Sequence, residues 1–376
     1  MVAGAILSDE LSIAPKKDDD TSDLASIADP MIERSTRVPV VAPLPQPYLL
    51  FLGDTVEESY AKTAFGLRDW ARDRCTGEFA CDGATITAGL PRMKPSEAHA
   101  SGARAVVIGV ANAGGFIPHP WIPCLVQAME AGLDIISGMH TRLADVPALK
   151  NAALRLGRRL IDVRQPPSNI PIASGRKRSG KRLLTVGSDC ALGKKYTALA
   201  LARAFASRGI PTDFRATGQT GILISGSGIP IDAVVADFAA GAAEMLSPDA
   251  AEDHWDVIEG QGALAHPAYA GVSLALLHGS QPDVVVICHE PGRERIVGHP
   301  EYVLPSIEET IELTLRLGQR TNPAIRCAGV SLNTAPLDAS AAEILLAQES
   351  ERLGLPVADP MRGGDTFRRL VDACLG

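Results

Sequence analysis

Residues Leu183 to Thr197 constrain this chain more than any other stretch: an apolar strand runs into a glycine- and lysine-bearing loop that opens a helix. The β-branched run Leu183–Val186 reads as a buried strand. Ser188 to Lys194 fits the phosphate-loop pattern, with Ser188 in place of the usual first glycine. Leu199, Ala202 and Phe205 carry a helix to Arg208, where Gly209 and Pro211 stop it. In such a loop successive backbone N–H groups and the helix N-terminus converge on a phosphate, and the lysine adds a point charge. The next position ordinarily holds a hydroxyl that binds magnesium. Here it is Lys195.

The chain has 376 residues, a length that predicts about two domains. Aromatic residues make up only 4%, too few for a surface that stacks bases, and the net charge of −8 opposes a phosphate-backbone binder. No nucleic-acid partner is expected. No apolar run approaches the roughly 20 residues of a membrane span, so no membrane partner is expected either. The seven cysteines are scattered without a CxxC pair, which argues against a disulfide framework or a zinc site and for a reduced cytoplasm.

Residues 1–45, with Lys16-Lys17-Asp18-Asp19-Asp20 and a proline-rich stretch from Val38 to Pro47, read as a flexible extension. Two α/β halves follow, over 46–172 and 173–376. In the first, Tyr48–Leu52, Arg104–Val110, Asp134–Ser137 and Arg159–Val163 read as strands, with helices over Trp121–Ala131 and Pro147–Leu156. This alternation implies a parallel sheet and a small Rossmann-like domain. No GxGxxG follows any of its strands, so dinucleotide binding there is unsupported. Asn112 and His140 stand at strand ends, where open sheets place ligands, although both also suit ordinary loop positions. Between the halves, Arg176 to Arg182 puts five cations in seven residues, a solvated basic linker or a neutraliser of ligand phosphate.

The second half reads as a parallel-sheet domain of the P-loop NTPase kind. Asp213–Ala216, Val257–Glu259, Val284–Cys288 and Cys327–Leu332 are its further strands, and their polar C-terminal ends should share one edge. Arg215 opens a glycine-broken loop with Gln219 and Thr220, and a bidentate guanidinium there can clamp a carboxylate or phosphate. Asp237 either reaches the same pocket or caps a helix. Glu259, at the end of an apolar strand and followed by Gly260, Gln261 and Gly262, stands where a general base or magnesium ligand belongs. His289 and Glu290 follow the next strand in the same way, with Arg293 behind them, and are further proton-transfer candidates. His266 and His278 are weaker ones. Asn333 occupies a purine-recognition place.

Lys195 removes the magnesium-binding hydroxyl, and Thr197, two residues on, points elsewhere on a helix. Lys194 and Lys195 together put two positive charges at the loop, which can neutralise a diphosphate without a metal. Phosphoryl transfer from ATP depends on magnesium at the β/γ-oxygens. A ligand whose diphosphate is not cleaved, such as coenzyme A, is the more natural guest.

The segments Gln46–Asp54, Val107–Asn112, Leu184–Lys194, Phe214–Gly221, Trp255–Gly262 and Leu277–Asp283 resemble the D-glutamate N-acetyltransferase family, a phosphate-loop family long labelled as of unknown function. The resemblance runs from residue 46 to about 370 and implies acetyl-CoA as donor and the amine of D-glutamate as acceptor. From position, Gly187, Ser188, Asp189, Cys190, Ala191, Leu192, Gly193, Lys194, Lys195, Tyr196, Thr197 and Asn333 are then expected to hold the coenzyme, with no metal. Glu259 is the first choice of base, with His289 or Glu290 as alternatives. Gly260 to Gly262 would supply oxyanion donors, and Arg215 and Arg293 would clamp the carboxylates. Gln219, Thr220, Asp237 and Gln261 complete the expected substrate contacts, and a homo-oligomer is expected. The loop is also similar to that of dethiobiotin synthetase, so an ATP- and magnesium-dependent ligase or kinase on a small carboxylate is the rival reading.

Overall fold

The structure, a computed structural model, describes residues 44–112 and 114–376; most of the extension expected over 1–45 lies outside them. Among these residues no helix is long and apolar enough to cross a membrane.

The chain first lays down β1 (Tyr48–Phe51), α1 (Lys62–Trp70), β2 (Cys75–Phe79), α2 (Pro95–Ala100) and β3 (Ala105–Ile108). It continues with α3 (Trp121–Glu130), β4 (Asp134–Ser137), α4 (Pro147–Leu156) and β5 (Leu160–Asp162). The five strands pair in the order β2-β1-β3-β4-β5, all parallel. The strands β1, β3 and β4 are buried along their whole length, as expected for a sheet covered on both faces.

The second half opens with β6 (Lys181–Gly187), α5 (Lys194–Ser207), β7 (Thr212–Arg215), α6 (Gln219–Ser225), α7 (Ala236–Leu246) and β8 (Trp255–Ile258). Then come α8 (Ala270–Ser280), β9 (Val284–His289), the strands β10 (Arg295–Ile296) and β11 (His299–Val303), and α9 (Ile307–Gly318). It closes with β12 (Arg326–Leu332), α10 (Ala339–Leu353), β13 (Val357–Ala358) and α11 (Gly364–Leu375). Six strands form a parallel sheet in the order β13-β12-β9-β6-β8-β7, while β10 and β11 make a separate antiparallel ribbon. The order turns back at β6: β8 and β7 lie on one side, β9 and its successors on the other. Such a reversal opens a crevice at the carboxyl ends of the strands, and the loop after β6 lies in it.

The two sheets share one apolar layer. Ala64 and Leu67 of α1, Leu199 of α5 and Ile222, Leu223 and Ile224 of α6 pack together with Leu50, Val107 and Ile136 of the first sheet. Inside that layer the buried hydroxyls of Thr63 and Thr220 are hydrogen-bonded to each other at 3.0 Å, whereas the buried Tyr48 hydroxyl and Trp70 indole N–H have no partner among the described residues.

Two expectations fail at this level. Cys81 and Cys124 are paired as a disulfide, with Cα atoms 6.4 Å apart, linking the segment after β2 to α3. The cations between the halves are only partly a solvated linker: Arg176, Lys177 and Lys181 are exposed, but four of the five are taken up in contacts within the fold. Arg178 and Arg182 are buried and donate to the carbonyls of Ser247, Gly279 and Pro248, while Arg176 and Lys177 pair with Asp249 and Asp283. They fasten the start of β6 to its neighbours.

Helices α7 and α8 pack closely because Gly279 has no side chain: a β-carbon there would collide with the Ala240 carbonyl and lie 2.7 Å from the Ala243 methyl. Gly279→Ala is expected to cost about 1–3 kcal/mol through overpacking, read as a lower thermal midpoint; an unchanged midpoint would contradict this packing.

Candidate active site

The loop from Ser188 to Gly193 closes on the N-terminus of α5, with Ala191 and Gly193 at φ of 58° and 98°. Alternating right- and left-handed residues turn successive N–H groups inward. The N–H groups of Ala191, Leu192 and Gly193 find no acceptor among the described residues. Lys194 is buried and folds back, its Nζ donating to the Asp189 carbonyl at 2.7 Å. Burial lowers its pKa, so an arriving anion would satisfy both its charge and the loop donors.

A second layer braces the loop. Asp189 is fully buried, and its carboxylate accepts from Arg293 at 3.0 Å and from the N–H groups of Cys190 and Val297 at 2.6 and 2.9 Å. Arg293 also donates to the Cys190 carbonyl at 2.8 Å and to Glu290 at 2.8 Å. The Ser188 hydroxyl meets His289 Nδ1 at 2.9 Å, and Asn333 reaches Glu290 at 3.4 Å. His266 lies buried beside the same carboxylate, 4.0 Å from Asp189, with Nδ1 accepting the Ala268 N–H. Burial lowers the pKa of both His289 and His266 and raises that of the Cys190 thiol. Asp189, Cys190 and His266 could together contact a metal ion. Arg293 already pairs with the Asp189 carboxylate, while His266 Nε2, the atom facing Asp189, has no hydrogen-bond partner among the described residues.

Glu259 follows β8 on the other side of the loop. It is buried, and its Oε2 accepts the N–H groups of Thr217 and Gly218 at 3.0 and 3.2 Å. Burial raises its pKa; the Lys195 charge and those two donors oppose the rise without cancelling it. The Thr217 hydroxyl donates to the Glu259 carbonyl at 2.7 Å and accepts from Gln261 at 3.1 Å. The segment Thr217–Gly218 thus wraps the carboxylate and aims Gln219 and Thr220 at the first sheet. Gln219 rests against Gly138 just beyond β4, where no side chain is in its way.

The remaining expected residues are dispersed. Arg215 is held by Asp213 and Asp256 at 2.9 and 2.6 Å, so its guanidinium is an ion-pair partner at the strand. Asp237 is exposed in the first turn of α7. Tyr196 donates to Asp69 of α1 at 2.7 Å, and Thr197 is buried against Ser331 at 2.8 Å. Gly260 gives its N–H to the Thr185 hydroxyl at 3.0 Å and is no oxyanion donor. His278 contacts the Leu317 carbonyl at 3.1 Å, and Asn112 exchanges hydrogen bonds with Phe116 inside its own loop. The sequence offered no motif for Lys62, Thr63 and Gly66 of α1, which nevertheless border the site.

A cavity of about 270 Å³ flanks the loop on its α9 side. Leu264, Pro305 and Leu313 give it apolar walls, and Glu309 and Glu312 with Arg316 border it. It suits an uncharged chain better than a dicarboxylate.

A family model described as a domain of unknown function, the DUF1611_C P-loop domain, matches residues 171–371 of this chain. Its companion, the DUF1611_N Rossmann-like domain, matches 73–166. The chain belongs to the DUF1611 family. It is 51% identical over 327 residues to a protein of Tritonibacter scottomollicae named D-glutamate N-acetyltransferase, covering 87% of this chain and 98% of that one. A protein of the same name from Pseudoalteromonas sp. is 47% identical over 318 residues, covering 85% and 96%. The crystal structure of a DUF1611 family protein from Anabaena variabilis superimposes with a TM-score of 0.78 at 33% identity, over 88% of this chain and 99% of that one. The Rossmann-like and P-loop halves are therefore the family's own architecture.

Both loop-side imidazoles are expected to be neutral at pH 7 and to titrate below the ordinary value of about 6.5. The unfolded chain then binds more protons than the folded one, so their contribution to stability is lost as pH falls below about 6.5. Nitrogen-15 NMR of the histidines reads this directly; an imidazole of this pair titrating above 6.5 would contradict the burial described.

Proposed function

We propose that this protein acetylates the amine of D-glutamate with acetyl-CoA as donor. The observation that carries the reading is the match to two proteins named D-glutamate N-acetyltransferase along 98% and 96% of their lengths. The site's chemistry is compatible with it. The open N–H groups of Ala191 to Gly193 with Lys194 suit the diphosphate of a coenzyme. The first turn of α5 has no free hydroxyl for magnesium: position 195 is lysine, and Thr197 is turned inward to Ser331. That favours a diphosphate held intact over one cleaved.

In acetyl-CoA the thioester supplies the activated acyl group. The chain's own residues have three tasks. Lys194 and the loop donors fix the coenzyme's charge. Glu259, held at one oxygen by Thr217 and Gly218, offers its other oxygen to the acceptor's ammonium and takes the proton that the amine must lose before it attacks. Its raised pKa makes the carboxylate a better base than an exposed one. His289, tied to Ser188, and Glu290, tied to Arg293, are placed to orient the loop.

Glu259→Gln keeps an oxygen acceptor for the two N–H groups and removes the base. Turnover is expected to fall by about 10²-fold or more, with the acetyl-CoA dissociation constant unchanged by calorimetry. Turnover within a factor of about two of wild type would remove Glu259 from the chemistry. Because burial disfavours the ionised form, folded Glu259 binds its proton more tightly than in the unfolded chain. Its contribution to stability therefore falls as pH rises past the ordinary carboxylate range, and the Gln variant is expected to melt no lower than wild type at pH 7.

Lys194→Ala is expected to weaken acetyl-CoA binding by about 10-fold or more, the loss of a charge-assisted contact. An unaltered dissociation constant would mean that the loop holds something else.

A further inference from the structure

Lys194 and Lys195 are neighbours in sequence, yet they serve different places. Successive helical residues diverge by about 100°. Lys194 folds into the loop, whereas Lys195 leaves α5 toward α1 in the first half. A β-carbon at Gly66 of α1 would stand 3.0 Å from Lys195 Nζ and 2.6 Å from the Thr220 methyl, so the absent side chain makes room for that ammonium.

The charge around it is unbalanced. Among the described residues no carboxylate lies within ion-pair distance of Lys195, although it is half-buried. Its acidic neighbours are engaged: Asp69 by Arg68 and the Tyr196 hydroxyl, Glu259 Oε2 by Thr217 and Gly218. Lys62, the first residue of α1 and without an ion-pair partner among the described residues, adds a second ammonium to the same field. Burial, with repulsion from Lys62, holds Lys195 down to about 8 against the opposing pull of Glu259. Two like charges close enough to repel each other are relieved by an anion bound beside them.

The identity of that anion follows from Glu259, on the acetyl-transfer reading. The acceptor's amine must reach the Glu259 carboxylate, and in an α-amino acid the amine and the α-carboxylate share one carbon. An ammonium beside Glu259 therefore meets the α-carboxylate, while the side-chain carboxylate lies further off. The cavity on the α9 side, bordered by two glutamates, is a poor alternative for a dicarboxylate.

We propose that Lys195, supported by Lys62, anchors the α-carboxylate of the amino-acid acceptor at the junction of the two sheets and is no part of the coenzyme's phosphate site. A lysine at the position where ATP-dependent phosphate loops carry a magnesium-binding hydroxyl thereby serves the acceptor. This rests on the acetyl-transfer reading, and its test separates the two.

The test compares wild type, Lys195→Met, Lys195→Arg and Lys62→Met with D-glutamate, with its α-amide D-isoglutamine and with its γ-amide D-glutamine. The amides are turned over or read as competitive inhibitors. Lys195→Met is expected to raise the KM for D-glutamate by about 10-fold or more, Lys195→Arg to recover part of it, and Lys62→Met to show a smaller rise. The acetyl-CoA dissociation constant stays within about twofold of wild type. With the α-amide the difference between wild type and Lys195→Met disappears, while with the γ-amide it persists. A weakened acetyl-CoA affinity with an unchanged KM for D-glutamate overturns the proposal, as does the same penalty with the α-amide. Should Lys195→Met fail to fold, Lys62→Met, on an exposed position, carries the same comparison. A wild-type protein that makes no N-acetyl-D-glutamate sinks the underlying reading; an active one indifferent to both lysines sinks this proposal alone.

Discussion

The junction between the two halves depends on one buried carboxylate. A carboxylate without partners in an apolar setting is costly, and Glu259 meets that cost by drawing in the N–H groups of Thr217 and Gly218. Those bonds fix the path of the chain after β7, and the path delivers Gln219 to Gly138 and Thr220 to Thr63. The same contact therefore sets the chemistry and the docking of the halves. Gly221 is required beside it, since a β-carbon there would lie 2.3 Å from Glu259 Oε2.

Parallel topology explains why so many polar groups meet here. All six strands of the second sheet point the same way, so the loops after β6, β8, β9 and β12 emerge along one edge. Ser188 faces His289, and Asn333 faces Glu290, across neighbouring strand ends. Within that edge the charges divide into two groups. Asp189, Arg293 and Glu290 neutralise one another and stiffen the loop, whereas among the described residues no carboxylate comes within ion-pair distance of Lys195 or Lys62, and Glu259 acts on Lys195 only from further off. Matched charges build the frame; unmatched ones mark where a ligand belongs.

Much of the frame was legible because buried parallel strands are continuous apolar runs. Val284–Cys288 and Arg104–Val110 read as strands for that reason, and the structure places β9 at Val284–His289 and β3 at Ala105–Ile108. The strand β2, Cys-Thr-Gly-Glu-Phe, was not legible: its buried Glu78 looks like a surface residue until its oxygen is seen accepting from Ala88. The proximity of the loop and Glu259 followed from strand–loop order. The fate of Arg215 did not, because an arginine at a strand end reads alike whether it awaits a ligand or, as here, faces Asp256 on the adjacent strand. Thr63 and Gly66 were invisible for a different reason: small residues on a helix acquire a role only from what docks against them. His266 is an isolated histidine in the sequence, with no neighbouring motif to mark it, yet it is packed against the loop's central carboxylate.

The most direct measurement is a mass-spectrometric assay of the full chain with acetyl-CoA and either D- or L-glutamate, without added metal or ATP. N-acetyl-D-glutamate should form, and the loop after β6 would then serve a coenzyme whose diphosphate stays whole. No acetylated product, together with release of ADP once magnesium and ATP are supplied, would contradict that account and restore phosphoryl chemistry to the loop despite Lys195.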